Sequence, residues 1–548
     1  MKVVIVGGVA GGASTAARLR RLDESAEILI FERGGEVSYS NCALPYHIGG
    51  VVEDEEELLL QTPESLWERF RIEVRIFSEV TAVNRTSKSV QIRDLKSGRE
   101  YSESYDQLVL APGAEAVIPP VHGVHLPEVC VLRSMEDMRR IERRISEESC
   151  RRVVVIGGGF IGLEMAENLR RRNLEVILAE GTEQIFPPFD PEMAAILAGE
   201  MRAGGVQLSL GQPVRAILPQ EDGCRVLCGD QEWECDLVLL AVGVRPEGHL
   251  AVESGLEVNA RTGIHVDESL RTSDPDIFAV GDVAEIRHRM TGQSTMLPLA
   301  GPANRQGRIA AANLAGRNRH FRGVVGSSVC QVFHQTAACT GLNEKTLKTQ
   351  KIPYEKVYLS PSQHVSVYPG ASPLTMKLLF SPEGKVLGCQ CVGAEGVEKR
   401  VDVIAAVIQL GGTVSDLAEL ELCYAPPYSS AKDPVNYAGF LAENVLEGLS
   451  PIRHWHDLEA RDRETSVLLD VRTPEEYEEG HLEGSRNIPV DELRERLEEI
   501  PGDREIWIYC QVGLRGYIAQ RILMQRREGQ NIYNLSGGYR LLQLIGVV

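Results

Sequence analysis

Arg152-Val153-Val154-Val155-Ile156-Gly157-Gly158-Gly159-Phe160-Ile161-Gly162 is the stretch whose reading decides the fold. The apolar run up to Ile156 reads as a buried strand, and the Gly-x-Gly-x-x-Gly spacing at Gly157, Gly159 and Gly162 turns it into a helix. Glycines so placed let the backbone close on a pyrophosphate, which rests on the positive end of the following helix beside Phe160 and Ile161. The next apolar strand, Val176–Ala179, ends at Glu180, where a carboxylate accepts hydrogen bonds from ribose hydroxyls. Together these predict a dinucleotide cradle built on a parallel sheet.

The same unit occurs earlier. Strand Lys2–Val6 leads into Gly7-Gly8-Val9-Ala10-Gly11-Gly12, a helix expected over Ala13–Leu22, and a strand Ile28–Phe31 that ends at Glu32-Arg33. Val9 stands where the pattern has its middle glycine, so this copy departs from the motif. Two such units imply two nucleotides on one chain. Glu180 repels a 2′-phosphate, which favours NADH over NADPH, although Arg170, Arg171 and Arg172 keep NADPH open. Leu108-Val109-Leu110-Ala111-Pro112-Gly113 and Leu239-Leu240-Ala241-Val242-Gly243 each run a buried strand into a tight turn, as crossovers between nucleotide domains do. A further strand, Ile277–Val280, ends at Gly281-Asp282.

Composition narrows the partners. The 548 residues carry 58 Lys+Arg against 78 Asp+Glu, a net charge of −20, which makes nucleic acid and anionic membranes poor partners. Small anions must therefore be held locally. The N-terminus enters a strand without a leader, and no apolar run reaches the ~18 residues of a membrane span. The expected location is the cytoplasm, where the twelve scattered cysteines stay reduced.

With both cradles and Gly281-Asp282 in place, the chain resembles the flavoprotein disulfide reductases over about residues 1–446. The resemblance implies FAD in the first cradle, on Gly7, Gly8, Ala10, Gly11, Gly12, Glu32, Arg33, Ala111 and Gly113, with Asp282 on the ribitol and Tyr424 also near the flavin. It implies NADH in the second, on Gly157, Gly159, Phe160, Ile161, Gly162, Glu180 and Gly243.

Most members of that family use a Cys-x-x-x-x-Cys pair. Here Cys42 stands alone in Ser38-Tyr39-Ser40-Asn41-Cys42-Ala43-Leu44-Pro45-Tyr46, with Val37 and His47 where a partner would be. That segment looks like the single-cysteine branch, which includes coenzyme A disulfide reductases, NADH oxidases and NADH peroxidases. A lone thiol completes its cycle through a mixed disulfide, a persulfide or a sulfenic acid. By the same resemblance Ser14, Arg18, Arg21, Ser38, Asn41 and Lys432 fall at or beside coenzyme A positions. Tyr368 and Tyr424 resemble tyrosines given by the neighbouring subunit of a homodimer. A phenol there can protonate a leaving thiolate. Interface packing for the tyrosines and a solvated basic face for Arg18 remain the plain readings.

Beyond Leu446 the pattern restarts. Strand Ser466–Leu469 leads to Asp470-Val471-Arg472, and strand Ile506–Tyr509 ends at Cys510-Gln511-Val512-Gly513-Leu514-Arg515-Gly516 before a helix. A cysteine between a strand end and a helix N-terminus faces backbone N–H groups that lower its pKa and stabilise a persulfide, and Arg515 adds positive charge. This segment is similar to rhodanese sulfurtransferases. Cys224, Cys228 and Cys235 are unevenly spaced, Cys389 and Cys391 share a strand face, and no metal site is expected.

The expected architecture is α/β throughout, with two Rossmann-like domains, an α+β dimerisation domain and a C-terminal rhodanese domain. The boundaries are 1–118 (FAD, first part), 119–149 (connection), 150–245 (NAD(P)H), 246–322 (FAD, second part), 323–446 (dimerisation), 447–453 (linker) and 454–548 (rhodanese). The expected activity is NADH-dependent reduction of coenzyme A persulfide, polysulfide or disulfide at Cys42, with Cys510 handling sulfane sulfur. The alternatives are an NADH oxidase or peroxidase cycling through a Cys42 sulfenic acid, and a sulfur-sensing scaffold.

Overall fold

The computed structural model describes residues 1–147 and 150–548. They form two compact units, Met1–Glu183 with Gly204–Val324, and Gln184–Ala203 with Val325–Val548.

The first unit holds two five-stranded parallel sheets of matching order. One runs Ile277–Ala279, Gln107–Leu110, Lys2–Val6, Glu27–Phe31, Glu73–Arg75. The other runs Val129–Cys130, Leu237–Leu240, Arg152–Ile156, Glu175–Glu180, Val206–Leu210. A parallel sheet is covered on both faces, and accordingly Val3, Val4, Ile5, Val153, Val154 and Val155 are all fully buried.

The first helix spans Ala10–Arg20 rather than Ala13–Leu22, so Gly11 and Gly12 lie in its first turn. They are needed there for close approach. A Cβ on Gly12 would stand 1.9 Å from the Gly7 carbonyl oxygen, and one on Gly162 would stand 1.9 Å from that of Gly157. The middle position is different: a Cβ on Gly159 meets nothing within 4 Å, and Val9 holds an ordinary φ of −93°. The missing middle glycine thus costs the protein's own packing nothing. The segment read as connection also supplies a strand, Val129–Cys130, because that apolar pair completes the second sheet's edge; its last residues, 148–149, lie outside the described residues.

In the second unit an antiparallel sheet runs Ser328–Val332, Gln335–Gly341, Val386–Gly393, Leu374–Phe380, Glu355–Leu359. Helix Pro191–Ala203 belongs to this unit although the sequence places it inside 150–245. The reason is a buried ion network. The fully buried Lys377 ammonium donates to Asp190 at 2.7 Å, to Glu344 at 2.5 Å and to Glu192. The C-terminal sheet runs Ile452–Arg453, Ile532–Leu535, Glu505–Tyr509, Ser466–Asp470, Ser485–Asn487, all parallel. Ile452 and Arg453, read as linker, therefore form its edge strand beside Asn534 and Leu535. Among the described residues no helix is long and apolar enough to cross a membrane.

Candidate active site

The chain turns toward Cys42 at Ser38, whose φ of +51° is left-handed, a conformation that costs a non-glycine residue roughly 1–2 kcal/mol. The loop is tied to the first cradle there: the Ser38 N–H donates to the Gly8 carbonyl at 2.9 Å, and the Ser38 carbonyl accepts from Leu60 at 2.9 Å. Asn41–Ala43 then form one tight turn with Cys42 exposed and its Sγ 3.7 Å from Asn41 Oδ1. No second thiol among the described residues contacts it.

The short helix Leu44–Ile48 docks on helix Phe160–Arg171 of the second cradle. Tyr46 Oη donates to Glu164 Oε1 at 3.2 Å, Arg172 Nη1 donates to the Ile48 carbonyl at 3.0 Å, and Gly49 is required because Asn168 fills the space of a side chain. Cys42 is thereby held between the two nucleotide cradles. Partial desolvation by the surrounding chain, followed by the carboxyl groups of Glu164 and Asp282, pushes its pKa up. Burial raises Glu164 to about 7 and Asp282 to about 6, the latter against the opposing pull of Arg133.

Asp282 follows strand Ile277–Ala279, and its carboxyl accepts no hydrogen bond from the described residues. A desolvated acceptor at the mouth of a glycine cradle fits a polyol such as flavin ribitol. Glu32 Oε2 accepts from the Gly8 N–H at 2.9 Å, and Glu180 Oε2 accepts from the Gly158 N–H at 2.8 Å. Both carboxylates therefore stand at their glycine turns. Gly113 and Gly243 hold positive φ values, and the Ala111 carbonyl lies where a Cβ on Gly7 would be. Arg33 forms a fork with Glu247 at 2.7 and 3.0 Å, so its charge is already paired.

Near helix Ala300–Leu314 lies a cluster of basic side chains that the sequence reading saw only in part. Ser14 Oγ donates to Asn304, and Arg18 Nε is buried without a partner among the described residues. Desolvation and then the guanidiniums of Arg308, Arg21, Arg317 and Arg319 lower the Arg18 pKa. Five arginines gathered in a chain of net charge −20 call for an anion. Arg308, Arg317, Arg319, Asn304 and Glu164 were missed; the run of arginines from 305 to 322 was the available signal.

Tyr368, Tyr424 and Lys432 belong to the second unit. Both tyrosines are exposed; Tyr368 sits edge-on to His364 at 5.5 Å, and Tyr424 and Cys423 line a cavity of about 480 Å³ with Lys399 and Arg400. Lys432 Nζ lies 5.9 Å from the Tyr437 ring.

Cys510 has the opposite setting. It ends strand Glu505–Tyr509 at 1% exposure, and the Gly513 N–H donates to its sulfur at 3.1 Å. Gly513 needs its φ of +113° to open helix Leu514–Arg526. The Cys510 and Gln511 carbonyls accept from the N–H groups of Tyr539 and Arg540 at 2.8 and 2.9 Å, which fixes the loop from its other side. Arg515 grips Glu476 through both oxygens at 2.6 and 2.7 Å and holds that carboxyl down to about 2. Arg472 grips Asp470 in the same manner and stacks 4.1 Å from the Tyr539 ring centre. Asp190, Glu192 and Glu344 are close enough together to ligate a metal, but Lys377 fills their centre.

Comparison with known proteins follows this division. The family model of the pyridine nucleotide-disulphide oxidoreductases matches residues 1–307, their dimerisation domain matches 327–434, and the rhodanese-like domain matches 455–543. An NADH oxidase of Methanocaldococcus jannaschii is 36% identical over 452 residues, 82% of this chain and 100% of its own. A coenzyme A disulfide reductase of Staphylococcus aureus is 34% identical over 444 residues, 81% of this chain and 100% of its own. Two solved structures cover 99% of this chain. The reduced CoADR-RHD of Bacillus anthracis has a TM-score of 0.96 at 45% identity with 98% of its own chain covered, and an NAD-dependent persulfide reductase of A. fulgidus has 0.93 at 36% with 100% covered.

Proposed function

The chain belongs to the pyridine nucleotide-disulphide oxidoreductases, with a rhodanese-like domain at its C-terminus, and on that footing we propose that it is an NADH-dependent reductase of coenzyme A persulfides and disulfides. The observation that carries the reading is Cys42 itself, a thiol between two nucleotide cradles with no second thiol among the described residues in contact. For a persulfide the balance is CoA–S–SH + NADH + H⁺ giving CoA–SH + H₂S + NAD⁺.

FAD and NADH, when bound, supply the electron pair. The glycine turns at Gly7–Gly12 and Gly157–Gly162 seat the two pyrophosphates, with Glu32 and Glu180 at the riboses and Asp282 at the ribitol. Ser14, Arg18, Arg21, Arg308, Arg317 and Arg319 receive the phosphates of coenzyme A, so that its pantetheine end reaches Ser38, Asn41 and Cys42. The Cys42 thiolate attacks the persulfide either at its outer sulfur, releasing CoA–SH and leaving Cys42–S–SH, or at its inner sulfur, releasing H₂S and leaving Cys42–S–S–CoA, and the electron pair then releases the other product and restores the thiol. Glu164, near neutral pKa and bonded to Tyr46, holds a proton beside this chemistry. The dimerisation domain supports a homodimer in which Tyr368, Tyr424 and Lys432 serve the neighbouring subunit's site. Cys510, with Arg515 beside it, loads and delivers sulfane sulfur. Twelve free cysteines support a cytoplasmic setting.

NADH consumption with coenzyme A persulfide tests the reading: it is expected to be fast in the wild type and lost in Cys42→Ser, and unchanged turnover in that variant would end the proposal. The name of the M. jannaschii relative favours oxygen reduction as a second reading. Faster NADH consumption with oxygen alone than with persulfide would select it.

A further inference from the structure

Cys224 and Cys235 sit directly opposite each other on neighbouring strands of the meander Val214–Pro219, Cys224–Cys228, Gln231–Cys235. Their sulfurs are 3.6 Å apart. What looked in the sequence like uneven spacing is register: the turn at Gly229-Asp230 pairs Cys228 with Gln231, and four steps further along the ladder it brings the two thiols face to face. Residues so opposed have Cα atoms at most ~5.5 Å apart, within the ~4.4–6.8 Å range that a disulfide spans. The sulfurs have to approach by a further ~1.5 Å to reach the ~2.05 Å of the bond.

The pair lies in the apolar layer where Ile217 and Val226 of the meander meet Val154, Ile177 and Val238 of the second sheet. Exposure is 0% for Cys224 and 4% for Cys235. Gln231–Cys235 is, however, the meander's edge strand, paired on one side alone. Edge strands open locally at a fraction of the cost of global unfolding, and a small reagent enters that way. The hydrogen bond from Cys235 lowers the Cys224 pKa while Cys235 is raised, so Cys224 is the thiol that ionises first.

We propose that Cys224 and Cys235 form a redox-active dithiol that sulfane sulfur converts to a disulfide. The choice of oxidant rests on the proposed function; the geometry of the pair does not. In the first step the Cys224 thiolate attacks the terminal sulfur of a persulfide, RSSH, forming Cys224–S–SH and releasing RS⁻, which takes up the proton Cys224 lost. In the second, Cys235 attacks the Cys224 sulfur, the S–SH bond breaks, and HS⁻ leaves with the Cys235 proton as H₂S. The sum is two protein thiols plus RSSH giving one protein disulfide, RSH and H₂S. Two electrons and two protons pass from the cysteine pair to sulfane sulfur with no nicotinamide consumed. The cross-link would fasten the hairpin that covers the second sheet.

The test uses the FAD-loaded full chain, treated with inorganic polysulfide in the absence of NADH, then alkylated under denaturing conditions and mapped by mass spectrometry. The expected result is a peptide pair joined through Cys224 and Cys235, lighter by two hydrogens, with alkylation lost at both. Cys224→Ser should leave Cys235 alkylated, and Cys235→Ser should leave Cys224 outside any cross-link, alkylated through its persulfide and heavier by one sulfur. Full alkylation of both cysteines in the treated wild type overturns the proposal, and this outcome needs no variant to fold. Cross-linking by diamide without cross-linking by polysulfide overturns it as well. Turnover of coenzyme A persulfide with NADH, measured on untreated enzyme, reports on the proposed function separately.

Discussion

Cys42 and Cys510, the two thiols on which the proposed function rests, have opposite surroundings in the structure. Around Cys510 the fold does everything locally: a strand end, a glycine with positive φ, an N–H at 3.1 Å from the sulfur and two arginines locked on carboxylates. Around Cys42 it supplies position and little activation. The thiol is exposed, its neighbours Glu164 and Asp282 are acids, and its pKa is raised. A persulfide-carrying rhodanese loop must hold an anion alone. Under the proposed function, the Cys42 thiol would gain its electrostatics from what the cradles bind.

The sharpest way to break this contrast is to exchange the losses. Cys42→Ser is expected to lower NADH-dependent reduction of preformed coenzyme A persulfide by about 10³-fold or more, as removal of a nucleophile does. Its transfer of sulfur from thiosulfate to an acceptor thiol should stay within about twofold. Cys510→Ser should show the reverse pattern. Steady-state assays of both reactions on both variants decide it, and parallel losses would mean that the two centres are one.

A smaller effect comes from the cradles. Gly162→Ala forces a Cβ to within 1.9 Å of the Gly157 carbonyl, and should destabilise the first unit by about 3 kcal/mol in urea unfolding and weaken NADH binding. Gly159→Ala meets no protein atom within 4 Å and should leave stability within about 0.5 kcal/mol. In both, rhodanese transfer at Cys510 should persist. Equal destabilisation by the two alanines would refute the account of why Val9 is tolerated.

Those glycines were legible in the sequence because their constraint is local: a turn and a helix start within six residues of each other. The Cys510 loop was legible for the same reason. The residues that went unread act across long separations. Glu164 reaches the Cys42 loop through Tyr46, 118 residues away, and Lys377 gathers Asp190 and Glu192 from 187 and 185 residues away. Nothing in a linear spacing announces such a meeting. The connection and linker were misread in part because a two-residue edge strand, Val129–Cys130 or Ile452–Arg453, is too short to show a period of two. For Cys224 and Cys235 the strands were short and the decisive fact was register, which follows from a two-residue turn.

The smallest expected effect is a pH response of opposite sign in the two units. Glu164 titrates at about 7 and Asp282 at about 6 in the folded protein, above the ordinary carboxylate range, because burial favours the neutral forms. Between about pH 4 and pH 7 these two groups therefore hold more protons in the folded first unit than in the unfolded chain, and their contribution to its stability rises on acidification. His454, packed 5.8 Å from the Tyr358 ring, is pushed down to about 3 by burial. Between about pH 6.5 and pH 3 the unfolded chain binds this proton and the folded second unit does not, so its stability falls on acidification. Each group contributes a slope of at most ~1.4 kcal/mol per pH unit. Urea midpoints followed at pH 7 and pH 5, with flavin fluorescence reporting the first unit and Trp507 the second, should move apart. Glu164→Gln should flatten the first response and His454→Gln the second. If His454→Gln leaves the acid response of the second unit unaltered, the histidine is not what makes that unit sensitive to acid, and the contrast between the two centres is confined to their sulfur chemistry.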